Sequence, residues 1–69
     1  MDIAAITELR ARRLDAINAA EKNRRLAATT PALRAFYHAL AFTYERAARE
    51  MQIMLDTADR LTGVDRKAA

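Results

Sequence analysis

Sixty-nine residues make one domain at most, and a chain this short rarely draws more than about 3–5 kcal/mol from its core. With no cysteine and a single histidine, His38, disulfides, thiolate metal sites and histidine clusters are excluded, and no carboxylate-rich loop resembles a calcium site. The net charge of +3 is a small excess, which fits a solvated helical surface and is only a weak pointer to nucleic acid.

One glycine and one proline leave little room for turns, and an alanine-rich composition favours helix. The expectation is an all-α fold: an antiparallel two-helix hairpin, completed by a partner or by dimerisation into a bundle. A single domain spans 1–69, with a helix over about 3–28, a turn at 29–30, a helix over about 31–62 and a tail at 63–69.

Asp2 is placed to cap the first helix, its carboxylate accepting from the free N–H groups of the next turn. The best apolar stripe that follows collects Ile3, Ile6, Leu14, Ile17, Ala20 and Ala28, but Arg10, Arg13 and Arg24 fall inside it. A second frame through Leu9, Ala16 and Ala27 still contains Arg13. These arginines either lie along apolar surface with their heads in water or pair with acids such as Glu45 and Glu50.

Thr29-Thr30-Pro31 breaks the helix. Proline needs no N–H partner at the first helical position, and Thr30 is the expected N-cap. A short connection of this kind sets two helices antiparallel. Gly63 is the expected left-handed stop of the second helix, with Arg60, Arg66 and Lys67 complementing its carbonyl end.

The strongest regularity lies in the second helix. Leu33, Tyr37, Leu40, Tyr44, Ala47, Met51, Met54, Ala58 and Leu61 are separated alternately by four and three residues, a heptad seam held for about four heptads. Phe36, Ala41, Ala48 and Leu55 widen it on both sides. The first helix is too thin to cover this surface, so the seam is expected to be shared between the hairpin contact and another chain. The expected partner-binding residues are Phe36, Tyr37, Leu40, Tyr44, Met51, Met54 and Leu55. Aromatics bring area, and methionine packs adaptably against foreign surfaces. Phe42 and Ile53 point away from the seam with Arg46 and Arg49 between them, a candidate second contact face.

Catalytic chemistry is not expected. No nucleophile–base pair is visible, and the lone glycine rules out a phosphate loop. Leu9-Arg10-Ala11-Arg12-Arg13-Leu14-Asp15-Ala16-Ile17 looks like the opening of a helical chorismate mutase, but the second helix carries no supporting motif. The expectation is a non-enzymatic protein-binding module with no cofactor, metal or small-molecule substrate. The partner is a protein, in a hetero-complex or a homodimer. The alternative is a nucleic-acid-binding or regulatory protein acting as a homodimer, although Arg10, Arg12, Arg13, Lys22, Arg24 and Arg25 scatter around the first helix. Met1–Arg10 carries no secretion signal, and the longest uncharged run, Ala35 to Tyr44, is too short to span a bilayer. The expected setting is the cytoplasm.

The start of the second helix (Leu33, Phe36) and the run Tyr44-Glu45-Arg46-Ala47-Ala48 resemble the small needle-subunit co-chaperones of type III secretion systems, the YscE/PscE-like family. The likeness covers the turn and half of the second helix. The turn here is Thr-Thr-Pro where that family tends to use glycine. The resemblance implies a cytoplasmic hairpin that pairs with a helical-repeat co-chaperone and helps keep a polymerising subunit monomeric.

Overall fold

The structure, a computed structural model, describes residues 3–68, and the side chains of residues 3–61. Helix α1 (Ile3–Thr29) leads through one turn of 3₁₀ helix (Pro31–Leu33) into helix α2 (Arg34–Ala68). The helices pack side by side as a hairpin with extents of 57 × 16 × 12 Å. The short third dimension is one helix thick, so both broad faces of the pair are open.

The turn forms where Thr-Thr-Pro required it, by a different arrangement of bonds. The Thr30 N–H donates to the Leu26 carbonyl at 2.9 Å and closes α1, while the Thr30 carbonyl accepts from the Leu33 N–H at 3.0 Å. Thr30 stands at the expected N-cap position, and its hydroxyl makes no capping bond there. Pro31 opens a tight 3₁₀ turn, and α2 starts at Arg34 instead of residue 31. The Arg34 Nε then donates back to the Ala27 carbonyl at 3.3 Å, tying α2 to one of the carbonyls that the end of α1 leaves without an intrahelical partner.

The stop expected at Gly63 does not occur, because α2 continues through it to Ala68. Glycine costs a helix interior only about 1 kcal/mol relative to alanine, too little to end a long helix by itself. The capping role of Asp2 and the roles of Arg66 and Lys67 lie outside the described side chains.

Between the helices the buried apolar residues are Ala16, Ala20 and Ala27 from α1 and Ala41, Ala48 and Ala58 from α2, with Asn23 the one buried polar residue among those described. This corrects the stripe expected for α1. The second frame, containing Ala16 and Ala27, faces α2 together with Ala20 of the first, while Ile6 and Ile17 are half-buried and Ile3, Leu14 and Ala28 are exposed. The cause is size. Ala20 and Ala27 stand one heptad apart on α1, as do Ala41 and Ala48 on α2, and methyl side chains let two backbones approach closely. A buried alanine contributes only about 0.8 kcal/mol of transfer free energy, against roughly 1.5–3 for a leucine or methionine. The hairpin gains close packing and leaves its larger apolar residues elsewhere. Asn23 is held in the seam by its Nδ2, which donates to the Ala19 carbonyl at 2.7 Å.

Candidate functional site: two unlike faces of the hairpin

The line Ala41–Ala48–Leu55 points at α1, and the two broad faces follow from what α2 carries on either side of it. On one side, called here the front, stand Tyr37, Tyr44 and Met51, and beyond them Leu33, Leu40, Ala47, Met54 and Leu61. These are the residues of the heptad seam expected from the sequence, apart from Ala58, which is buried in the alanine seam. They flank the contact between the helices. Tyr37, Leu40 and Met51 are half-buried. Leu33 keeps 47%, Met54 48% and Leu61 68% of their surface exposed.

From α1 the front face receives Arg12, Asp15, Ala16 and Ala19, which with Tyr44, Ala47 and Met51 line a groove of about 390 Å³. Alanines form its floor, and a tyrosine and a methionine rise on its α2 side. The contribution of α1 was not expected from the sequence. The heptad spacing of Ala20 with Ala27 and of Ala41 with Ala48 is the sequence signal for this seam, but the line from Leu33 to Leu61 has the same period, and spacing alone does not choose between them. At the turn end, the Phe36 and Tyr37 rings meet edge to face with centroids 5.5 Å apart, an arrangement that suits aromatic quadrupoles. Phe36 itself is exposed.

Of the seven expected partner-binding residues, Tyr37, Leu40, Tyr44, Met51 and Met54 share the front face. Phe36 stands at its outer edge. Leu55 is half-buried on the inward line and touches the opposite side, where it lines a cleft with Arg10, Arg13, Asp56 and Asp59.

That opposite side, the back, is charged. The Arg24 guanidinium forms an ion pair with Glu45 across the seam, so one arginine of α1 has the acidic partner anticipated as an alternative. Arg13, Arg24, Glu45 and Arg49 line a second cleft of about 360 Å³ together with Ile17, Ala20 and Ala48, and Gln52 Nε2 donates to Asp56 Oδ1 at 2.7 Å. Farther out, Phe42, Arg46 and Arg49 border a small hollow with Glu45. Arg46 also pairs with Glu50 one turn on, at 3.7 Å. Phe42 and Ile53 keep 67% and 57% of their surface exposed. The four residues of the candidate second face therefore lie along the outer edge of the charged side.

Compared with known proteins, the chain matches no family model, no curated protein and no solved structure. Among the described residues, no group of three His, Cys, Asp or Glu side chains is placed to hold a metal ion, and no helix is long and apolar enough to cross a membrane. His38 is exposed on α2. What the arrangement offers is surface: a mostly apolar grooved face backed by a charged one.

Proposed function

We propose that the hairpin is a non-enzymatic protein-binding module that works by bundle completion, laying its front face against helices of a protein partner. One observation carries the reading. The core between the helices is built from alanine, with no large side chain fully buried among the described residues, while the leucines, methionines and tyrosines of α2 stand beside it on one open face. Contiguous apolar surface of this kind marks interaction sites, and apolar anchors at helical spacing are how a helix face engages a groove.

By the likeness of Leu33, Phe36 and Tyr44–Ala48 to needle-subunit co-chaperones, a helical-repeat protein that holds a polymerising subunit is one partner of this class, and a second copy of the chain is another. The nucleic-acid alternative draws on the arginines of the back face. The acids standing among them (Glu45, Asp56 and Asp59) break that face into mixed clefts and favour the protein reading over a cationic track.

The test is capture of partners from the native cell extract on immobilised hairpin, with Leu40→Asp and Met51→Asp as variants and circular dichroism to verify that each remains helical. Both substitutions abolish capture if the front face is the docking surface. Wild-type capture by both helical variants removes that face from consideration.

A further inference from the structure

We infer that the partner covering the front face is a second copy of this chain, giving a two-fold symmetric four-helix bundle. This inference rests on the proposed docking role of that face and names its occupant.

The first argument is area. The chain exposes 5522 Å², whereas a compact monomer of 7.7 kDa exposes roughly 4300 Å² on the usual scaling of surface with mass. The excess, on the order of 1200 Å², exceeds the approximately 800 Å² that each partner buries in a stable interface of standard size. One copy covering about 800 Å² of one broad face removes about two thirds of that excess. The back, with its arginines and carboxylates, is the face to leave in water.

The second argument is shape. A two-fold interface must be self-complementary, each protomer supplying both halves of every contact. The front face has both halves. Its groove sets the small residues Ala16, Ala19 and Ala47 beside Tyr44 and Met51, and Leu40 and Met54, at helical spacing from these on α2, are the knobs. A two-fold axis through the face seats the knobs of one protomer in the groove of the other, the alternation of large and small that bundle cores use.

The third argument is charge. The chain carries +3, but the edge of the front face has both signs: Arg12 pairs with Glu8 at 2.7 Å, and Asp15 stands with Arg12 at the groove. A rim of mixed sign meets its own copy without like-charge repulsion, whereas a strongly acidic or basic partner would call for a rim of one sign.

Sedimentation equilibrium of the full chain, from 1 to about 200 µM, is the deciding measurement. The wild type is expected at twice the chain mass. Met54→Asp is expected to raise the dissociation constant by at least about a hundredfold, because symmetry places the substitution in the interface twice. Met54 is half exposed within the hairpin, so the hairpin itself tolerates the change. Phe42→Asp, on the back, leaves the dimer intact. A helical wild type that sediments at the chain mass throughout overturns the inference, and so does a dimer that Phe42→Asp dissociates and Met54→Asp does not. If the monomeric chain still captures another protein through Leu40 and Met51, the docking role survives and only the second copy is lost. If it captures nothing, both fall.

Discussion

The Arg24 guanidinium reaches across the hairpin to the Glu45 carboxylate, and this pair fixes how the two helices are read against each other. With residue 24 opposite residue 45 in an antiparallel pair, Ala20 falls beside Ala48 and Ala27 beside Ala41. Ala20 and Ala48 do line the same cleft as the ion pair. Register, alanine seam and the division into two faces are thus one arrangement, seen at three places.

The ion pair itself adds little stability. Arg24 keeps 59% of its side chain exposed, and pairs this open are worth about 0.2–1 kcal/mol. A double-mutant cycle with Arg24→Ala and Glu45→Ala, followed by urea unfolding, should return a coupling in that range. Zero coupling would mean that the two side chains do not meet in solution and that the register needs another anchor.

Alanine at the seam is a steric requirement. Ala48→Leu inserts three carbons at a position buried between the helices and is expected to cost about 1–3 kcal/mol, as overpacking does elsewhere. Ala39→Leu, the same change at an exposed position, should stay within about 0.5 kcal/mol of wild type. Stabilisation by Ala48→Leu would show that the helices stand farther apart than an alanine seam allows.

At the turn, the Thr30 hydroxyl makes no capping bond, and the side chain that ties the two helices is Arg34. Its Nε donates to the Ala27 carbonyl at 3.3 Å, and a net hydrogen bond of this kind is worth about 0.5–1.5 kcal/mol. Arg34→Ala should therefore lower Tm by several degrees, at roughly 4–8 °C per kcal/mol for a domain of this size. Thr30→Ala, which removes a hydroxyl that caps nothing, should shift it far less. The reverse order would restore the capping role to Thr30.

Two helices, their order and the break at Thr-Thr-Pro were legible from the residues, because proline and the near absence of glycine act locally and strongly. The rotation of each helix about its axis was not. The spacing from Leu33 to Leu61 has the seam period, but so does the parallel line Ala41–Ala48–Leu55, and period alone does not choose between them. Weighting by hydrophobicity chose the larger residues. The structure places the smaller ones inside, since close approach of backbones is a property of the pair and cannot be scored on one helix. The same limit hid the part played by Ala16 and Ala19. On α1 alone they are unremarkable alanines, and they form a groove floor only once Tyr44 and Met51 stand beside them. The choice between Arg24 in water and Arg24 paired likewise waited on register.

Phe42 and Ile53 give the last prediction. Both are more than half exposed, at the outer edge of the charged side. If they serve no contact, the double variant Phe42→Ser, Ile53→Ser should unfold within about 0.5 kcal/mol of wild type, as surface substitutions do. It should also leave the sedimenting mass and the captured partners unchanged. Single exposed apolar residues are normal on any protein surface, so that result would assign the binding to the front face alone. A loss of capture with stability intact would instead make the outer edge a second docking surface. Arg46 and Arg49, which border the hollow beside Phe42, are then the residues to change next, by Arg46→Ser and Arg49→Ser. Capture that weakens further as salt is raised would identify the partner at that edge as acidic, since exposed charge pairs are screened over about 10 Å at 0.1 M salt.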